Sequence, residues 1–390
     1  MDDRRALREL GSSFAARFGR IPAVIANSPG RVNLIGEHTD YCGGLVLPFA
    51  CDLSLGVAAA PRRDNTFRIL YEDTGEEDVF STKGLVPTPA TRWSYARGVA
   101  WSLMEEGLEP RGMDAVVKGD LPVGAGLSSS AALETGLCLC MEECSGFSLG
   151  PRQRADICLR AERRWVGVDC GMMDQYACSL GSEGHALLID CASGDVRPVP
   201  LHTDSLKLVI CDSRTRRRLD SGVYNLRRKE CSEGLQRLAS LLPGGAKTPR
   251  FDDEVDPGIL QEIPRPQYLR VCHFLAENLR VREAASLLEE GRAHELGPLL
   301  TSSHLSLSRQ MQVSTPELDL LVDAAVGTGS ALGSRLHGAG FGGCTLNLIW
   351  EDVLDRFYKT VAEAYRSSFG MPPLFHPVHP SKGARIIESR

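Results

Sequence analysis

A glycine- and serine-rich stretch in the first half of the chain has the composition of a loop that binds phosphate. It covers residues 119–134 and reads GDLPVGAGLSSSAALE, between a β-like run and a series of good helix formers. Gly124 and Gly126 allow the backbone to bend and to approach a ligand closely. The three serines bring hydroxyl groups and unpaired amide N–H groups to the start of the helix, where anions bind. The stretch predicts a phosphate site, although a purely structural helix cap has a similar composition.

Two common nucleotide-binding loops do not fit this stretch. A Walker A loop ends in Gly-Lys-Ser or Gly-Lys-Thr, and residues 119–134 contain no such ending. The dinucleotide fingerprint spaces its three glycines differently and is followed by an acidic residue about 20 positions later. The predicted phosphate site is therefore of another type.

Two further stretches group residues that could bind a small polar substrate. Residues 28–41 read SPGRVNLIGEHTDY and place Glu37, His38 and Asp40 close together. Such charged groups discriminate sugar hydroxyls, because an unpaired polar group in a closed pocket costs roughly a few kcal/mol. Residues 333–344 read GSRLHGAGFGGC, and their glycines could form a loop close to a substrate. Taken singly, His38 and these glycines are as typical of ordinary turns.

Together the three stretches resemble the three motifs of the GHMP kinases, and they follow in the order of that family. The EHTDY string at 37–41 is similar to the sugar-kinase form found in galactokinases and differs from the mevalonate and homoserine branches. The resemblance extends over nearly the whole chain through residues 170–175, CGMMDQ, and through Ser221, Tyr224, Arg227, Arg228 and Cys231.

The resemblance implies an α+β chain of two domains. The first, at residues 1–200, is expected to be a ribosomal S5 domain 2-like α/β domain that holds the sugar and the phosphate loop. The second, at residues 201–390, is expected to be a ferredoxin-like GHMP kinase domain, with ATP and sugar in the cleft between the two. The implied reaction is direct in-line transfer of the γ-phosphoryl group of ATP, with Mg²⁺, to the anomeric hydroxyl group of D-galactose.

The resemblance also implies roles for individual residues. Asp174 corresponds to the aspartate that accepts the hydroxyl proton, and Arg31 to the cation that stabilises developing negative charge. Ser130 and Glu162 correspond to ligands of Mg²⁺, which prefers oxygen donors. The expected sugar contacts are Glu37, His38, Asp40, Gly171 and Tyr224. The expected ATP contacts are Gly124, Ala125, Gly126, Leu127, Ser128, Ser129 and Ser130.

Some residues depart from the pattern of galactokinases. Cys42 stands where Asn is usual, His337 where Thr or Ser is usual, and Ala339 where Gly is common. Kinases for N-acetylgalactosamine, arabinose, galacturonate or glucuronate therefore stay open as alternatives. A sugar and ATP sensor without turnover is a further alternative, but such sensors have a shortened serine motif, whereas residues 128–132 are complete.

The overall composition argues against several other classes of protein. A net charge of −6 disfavours a general nucleic-acid binder, and the basic runs at 214–218 and 227–229 are more typical of a solvated helix face. No apolar stretch is long enough to cross a membrane, and the first residues lack the pattern of a signal peptide. The 13 cysteines lack paired CxxC spacing, which indicates reduced thiols. We therefore expect a cytoplasmic protein without nucleic-acid or membrane partners, and we favour a monomer.

The elements that must position these residues alternate in type up to about residue 190. β-like runs lie at 45–50, 115–118 and 186–190, and helical patterns at 96–106, 130–144 and 152–164. A hairpin is predicted at 185–201, because its turn contains Gly and Asp. Further strands are predicted at 206–211, 334–336, 344–349 and 384–387, and an irregular segment at 242–263. No metal-ligand spacing, and so no function, is found for His185, His202, His273, His294, His304, His376 and His379.

Overall fold

The computed structural model describes residues 3–87, 94–122, 126–216, 221–242 and 255–390, which form strands and helices in alternation. The strands are β1 (Val24–Asn33), β2 (Leu45–Val46), β3 (Pro48–Pro61), β4 (Thr66–Tyr71), β5 (Glu76–Ser81), β6 (Met113–Gly119), β7 (His185–Asp190), β8 (Asp195–Pro200), β9 (Leu206–Asp212), β10 (Gly333–His337), β11 (Cys344–Trp350), β12 (Leu374–Val378) and β13 (Arg385–Ser389). The α-helices are α1 (Asp3–Phe18), α2 (Ser94–Glu105), α3 (Ser129–Ser145), α4 (Pro151–Arg160), α5 (Met173–Leu180), α6 (Ser221–Leu241), α7 (Pro257–Gln261), α8 (Gln267–Glu289), α9 (Leu296–Ser306), α10 (Pro316–Gly327) and α11 (Leu354–Phe369). Short 3₁₀ or π-helical turns cover Asp40–Cys42, Ala161–Val166, Ala293–Glu295, Leu307–Met311 and Glu351–Val353.

A six-stranded sheet organises the first half of the chain, in the order β13-β1-β3-β6-β4-β5. Successive residues of a strand point to opposite faces, and here helices cover both faces. Ile25 and Ala58 pack in one cluster with Leu10 and Phe14 of α1. Val24 and Ala59 pack in another with residues of α2 and α3. Helices on both faces explain why β1 is buried along its whole length rather than at alternate residues.

A four-stranded antiparallel sheet organises the second half, in the order β10-β11-β9-β12. This is the strand order of a ferredoxin-like fold, as the family resemblance implies. Helices α10 and α11 cover one face of the sheet. The other face contributes Leu208 and Leu346 to a buried cluster that also contains Val32 and Leu34 from the first half. One continuous core therefore joins the two halves.

Within the described residues, the predicted strands and helices are confirmed with shifts of a few residues at their ends, except that the run predicted at 45–50 falls on two strands, β2 and β3, which belong to different sheets. The hairpin pairs β7 with β8, and β2 extends it to a small third sheet. Part of the irregular segment predicted at 242–263 lies outside the described residues, and the prediction was wrong at Pro257–Gln261, which forms α7. The domain boundary at 200/201 stays a prediction, and the structure adds that β13 pairs with β1 in the first sheet. Among the described residues, no helix has the length and apolar character needed to cross a membrane.

Candidate active site

A cavity of about 440 Å³ lies between the two halves of the molecule. Its walls come from β1 and the loop after it, the loop before α3, the segment before α5, helix α6 and the loop after β10. The predicted site residues that line it are Arg31, Glu37, His38, Asp40, Gly126, Leu127, Ser128, Ser129, Ser130, Glu162, Gly171, Asp174 and Tyr224. Gly124 and Ala125 lie outside the described residues. The fold thus brings the three sequence motifs to one place.

Arg31 and Asp174 form an ion pair at the wall of this cavity. Arg31 is 5% exposed at the sheet, and its Nε donates to Oδ1 of Asp174 at 2.8 Å. Its Nη1 donates to the carbonyl of Gly126 at 2.5 Å. Burial alone would lower the pKa of Arg31, but the carboxylates of Asp174 and Glu37 raise it. The guanidinium therefore stays charged beside Asp174.

The loop before α3 is tied to the same aspartate. Ser128 precedes the helix in the left-handed conformation, with φ 55° and ψ 51°. Its hydroxyl does not cap the helix but donates to Oδ2 of Asp174 at 2.5 Å. The loop also contacts β1, because the N–H of Arg31 donates to the carbonyl of Leu127 at 3.1 Å. Ser129 and Ser130, at the start of this 17-residue helix, line the cavity, and the first amide groups of a helix favour anions.

Glu162 is a buried carboxyl group on the π-helical turn that follows α4. It is 7% exposed, and no basic side chain of the described residues forms an ion pair with it. Burial raises the pKa of Glu162 to about 7, and the carboxylate of Asp174 adds to this effect. Its partners are uncharged: the side chains of Gln175, Ser130 and Cys170.

Glu37 is fixed by the glycine-rich loop of the third motif. Its side chain is almost fully buried, and Oε1 accepts hydrogen bonds from the N–H of Gly338 at 2.8 Å and from Nη2 of Arg335 at 3.1 Å. Burial opposes ionisation, but the guanidinium of Arg335 holds the pKa of Glu37 well below its usual range. Arg335 also donates to the carbonyls of Asn33 and Leu34. The sequence interpretation assigned no role to Arg335; a charge inside a predicted buried strand was the available signal.

His38, Tyr41 and Tyr224 form an aromatic group at one side of the cavity. The ring of His38 lies 5.7 Å from that of Tyr224, and the two tyrosine rings are 5.8 Å apart. Nε2 of His38 lies 3.1 Å from the carbonyl of Ala339 and therefore carries the proton, and Nδ1 accepts from the hydroxyl of Tyr41 at 2.7 Å. Both ring nitrogens of His38 therefore have protein partners.

Asp40 begins the 3₁₀ turn at Asp40–Cys42 and lines the same cavity as the ion pair of Arg31 and Asp174. Burial, together with the carboxylates of Asp174 and Glu37 and against the opposing charge of Arg31, raises the pKa of Asp40 to about 7. Gly171 leaves the space that this side chain fills. A Cβ at Gly171 would lie 1.8 Å from Oδ2 of Asp40. Only glycine therefore fits at this position in the observed arrangement.

Two of the three departures from the galactokinase pattern do not line the cavity. His337 is fully buried, and its Nε2 accepts from the N–H of Asn33 at 3.1 Å. Cys42 packs beside Cys231 and Leu235 of α6. Ala339 does line the cavity, where its carbonyl faces His38.

Further residues near the site carried no prediction. Glu134 is fully buried, and burial together with the carboxylate of Glu162 raises its pKa well above the ordinary value. Nε2 of Gln175 lies 3.2 Å from Oε2 of Glu134 and also donates to Glu162. Tyr95 lines the cavity near Ser130. These contacts join residues that are far apart in sequence, and spacing alone could not have indicated them.

Three family descriptions match successive parts of the chain. Residues 12–61 match the galactokinase galactose-binding signature. Residues 94–182 match the N-terminal domain of GHMP kinases, and residues 284–367 match their C-terminal domain.

Similar proteins agree with these matches over almost the full length. The chain is 38% identical to a galactokinase of Roseiflexus sp. (strain RS-1), over 98% of this chain and 97% of that protein. It is 40% identical to a galactokinase of Chloroflexus aurantiacus, over 92% of each. The solved structure of Lactococcus lactis galactokinase complexed with galactose superimposes with a TM-score of 0.90 at 29% identity, over 97% of this chain and 99% of that one. The chain therefore belongs to the galactokinases, a branch of the GHMP kinase family.

Proposed function

We propose that this chain transfers the γ-phosphoryl group of ATP to the anomeric hydroxyl group of galactose. The observation that carries the proposal is the hydrogen bonding of Asp174. One carboxylate oxygen accepts from Arg31, and the other accepts from Ser128 of the phosphate loop. A carboxylate held in this way is oriented towards a substrate that lies between the phosphate loop and the residues predicted to contact the sugar. The match to the galactose-binding signature supports galactose as that substrate.

In the proposed reaction the anomeric oxygen attacks the γ-phosphorus in line with the leaving oxygen of ADP. A new O–P bond forms, the bond between the γ-phosphorus and the β,γ-bridging oxygen breaks, and Asp174 accepts the hydroxyl proton. The guanidinium of Arg31 stabilises the negative charge that develops on the transferring group. Ser128 and Arg31 restrict the rotation of the Asp174 carboxylate, so the base is oriented before the substrate arrives.

The start of α3 would bind the phosphates of ATP. Ser128, Ser129 and Ser130 place backbone N–H groups and hydroxyls at the positive end of this helix. Gly124 and Ala125, which the resemblance also assigns to ATP, precede these residues in the same loop. Tyr95 and Val168 line the cavity near the same loop.

Ser130 and Glu162 would hold Mg²⁺ together with the phosphate oxygens. The fit rests on a buried carboxyl group that has no basic partner among the described residues and has a hydroxyl group beside it. Hard oxygen donors of this kind suit Mg²⁺, which when bound neutralises the charge of the phosphate oxygens. Within the described part of the chain, no group of three or more His, Cys, Asp or Glu could hold a metal alone. Gln175 holds the Glu162 carboxylate from the protein side.

Glu37, Asp40, Gly171 and Tyr224 would select the sugar. Glu37 and Asp40 offer carboxylate oxygens at fixed positions, since Arg335 and Gly338 hold the first and Gly171 makes room for the second. Buried acceptors left unpaired by a wrong sugar would weaken its binding. The side chain of His38 forms part of the cavity wall. Kinases for related sugars lose support because Cys42 and His337 do not line the cavity.

We also propose that the enzyme acts as a monomer in the cytoplasm. All 13 cysteines are free thiols, which suits a reducing compartment. The monomeric state remains a prediction from the sequence.

The decisive experiment measures ADP release from MgATP with galactose, N-acetylgalactosamine, arabinose, galacturonate and glucose. The parent protein is compared with Asp174→Asn, which keeps the shape of the side chain but removes the base. Asp195→Asn, on the exposed strand β8, is the matched control. We expect galactose-dependent turnover that falls at least about 100-fold in Asp174→Asn and not in the control.

Two results would contradict the proposal. Turnover with another sugar alone would assign the chain to a different substrate. Binding of galactose and ATP without turnover in the parent protein would favour a sensor.

A further inference from the structure

Helix α8 carries three fully buried polar side chains, His273, Glu277 and Asn278, each 0% exposed. They face residues 36–45, which we call the sugar-recognition segment because it carries Glu37, His38 and Asp40. Polar side chains are seldom buried to this extent unless hydrogen bonds satisfy them. In α8, each of the three bonds to the main chain of this segment.

The three bonds reach both ends of the segment and its first carboxylate residue. They run from the N–H of Gly36 to Oε1 of Glu277 at 3.0 Å, from Nε2 of His273 to the carbonyl of Glu37 at 2.9 Å, and from the N–H of Leu45 to Oδ1 of Asn278 at 2.6 Å. Buried main-chain groups need hydrogen-bond partners, and α8 supplies them for Gly36, Glu37 and Leu45.

Other residues fix the three side chains from behind. Nδ1 of His273 lies 2.7 Å from the hydroxyl oxygen of Ser306, which donates to Oε1 of Gln310 at 2.5 Å. Nε2 of His273 is the donor to Glu37, because a carbonyl oxygen can only accept. Ser303 donates to Oε1 of Glu277 at 2.6 Å. Nδ2 of Asn278 donates to the carbonyl of Phe274 at 2.6 Å. Each of the three side chains is therefore held in one orientation, and this fixes the main chain of the sugar-recognition segment.

We infer that His273, Glu277 and Asn278 are positioning residues for sugar recognition, an inference that rests on the proposed function. They do not line the cavity, and act by setting the main chain that presents Glu37 and Asp40. The phosphate loop is held from a different side, by Arg31 of β1. Loss of a positioning bond therefore weakens the binding of galactose and leaves the binding of MgATP unchanged.

The test compares two substitutions of His273 in the full chain. His273→Leu fills the space but cannot donate to Glu37, whereas the amide nitrogen of His273→Gln reaches about as far as Nε2 and can donate. Ser102→Ala is the matched control, because Ser102 is also fully buried and its hydroxyl donates to the carbonyl of Ile157 at 2.8 Å, away from the cavity. Steady-state kinetics give KM for galactose and for MgATP. Thermal unfolding with galactose, or with a non-hydrolysable ATP analogue, reports binding without turnover.

We expect His273→Leu to raise KM for galactose about tenfold, or about 1.4 kcal/mol, with KM for MgATP within about twofold of the parent. Galactose should lose most of its stabilising effect on this variant, whereas the ATP analogue should keep it. His273→Gln should stay within about threefold of the parent for both substrates.

The inference is overturned if His273→Leu leaves KM for galactose unchanged, if it raises both KM values equally, or if Ser102→Ala raises KM for galactose by the same factor. Should His273→Leu fail to fold, Asn278→Ala is judged by the same criteria. A parent protein that releases no ADP with galactose contradicts the proposed function instead, so the two failures are distinguishable.

Discussion

The carboxylate of Asp40 lies directly against the α-carbon of Gly171, so closely that a Cβ there would be 1.8 Å from Oδ2. Gly171→Ala must therefore displace Asp40 from the cavity wall. We expect KM for galactose to rise at least about tenfold, since a sugar hydroxyl loses a charged partner. Steady-state kinetics would measure this rise, with KM for MgATP nearly unchanged.

Gly11→Ala is the control for this substitution. Gly11 lies inside α1, where a new Cβ meets nothing within 4 Å. Helix propensity predicts a gain of about 1 kcal/mol in the free energy of unfolding and no change in kinetics. Equal KM values for galactose in both variants would refute the steric argument.

Ser128 combines an unfavourable backbone conformation with a functional hydroxyl group. Its φ of 55° costs roughly 1 kcal/mol relative to glycine, and its Oγ holds Asp174 at 2.5 Å. Ser128→Gly and Ser128→Ala both remove the hydroxyl, so kcat should fall about tenfold in each. Only glycine adopts this backbone conformation without strain. Ser128→Gly should therefore be more stable than Ser128→Ala by about 1 kcal/mol in urea unfolding. Full kcat in Ser128→Ala would contradict the assigned role.

Asp40 should make the stability of the ligand-free protein depend on pH. Its pKa is raised to about 7 in the folded state, against about 3.9 in an unfolded chain. Between these values the folded protein binds more protons than the unfolded chain, so this contribution is complete below about pH 4 and is lost as the pH rises through about 7. Asp40→Asn removes it. The stability of the variant relative to the parent should therefore increase over this range, by up to about 4 kcal/mol.

Urea unfolding at several pH values would measure the difference between Asp40→Asn and the parent. Subtraction isolates Asp40 from Glu162, whose pKa is also raised, and from Glu37, whose pKa is lowered. Asp204→Asn, on an exposed turn, should give a curve parallel to the parent. A parallel curve for Asp40→Asn as well would show that Asp40 is ionised in the same way in both states.

Cys42 should not determine which sugar is used. It packs beside Cys231 and does not line the cavity. Cys42→Asn, which introduces the residue usual in galactokinases, should change the ratio of kcat/KM for galactose to that for N-acetylgalactosamine by less than about threefold. A reversal of preference would mean that the turn at Asp40–Cys42 moves when the sugar binds.

Much of the fold could be predicted from the sequence because its signals are local. The serine-rich start of α3 and the turn between β7 and β8 each follow from a few neighbouring residues. The site could be predicted only because the motifs occur together, since His38 or Asp40 alone is typical of a turn.

The supporting contacts could not be predicted, because they join distant parts of the chain. Arg335 bonds to the side chain of Glu37, and His273 bonds to the carbonyl of the same residue. These residues are so far apart in sequence that no helix or strand periodicity relates them. The spacing of His273 indicates no metal site and so no function, whereas its partners are a main-chain carbonyl and a serine. In such cases the informative signal is a polar residue on the apolar face of a helix, and burial is needed to interpret it.

The pairing of β1 with β13 also bears on how the molecule matures during synthesis. β1 lies between β3 and β13, yet β13 is translated after every other strand described here. While the ribosome makes the intervening segments, β1 keeps one row of unpaired N–H and C=O groups, the kind of edge at which nascent chains associate with one another. Because β1 carries Arg31, we expect enzyme activity to appear only when β13 has left the ribosomal exit tunnel and has paired with β1.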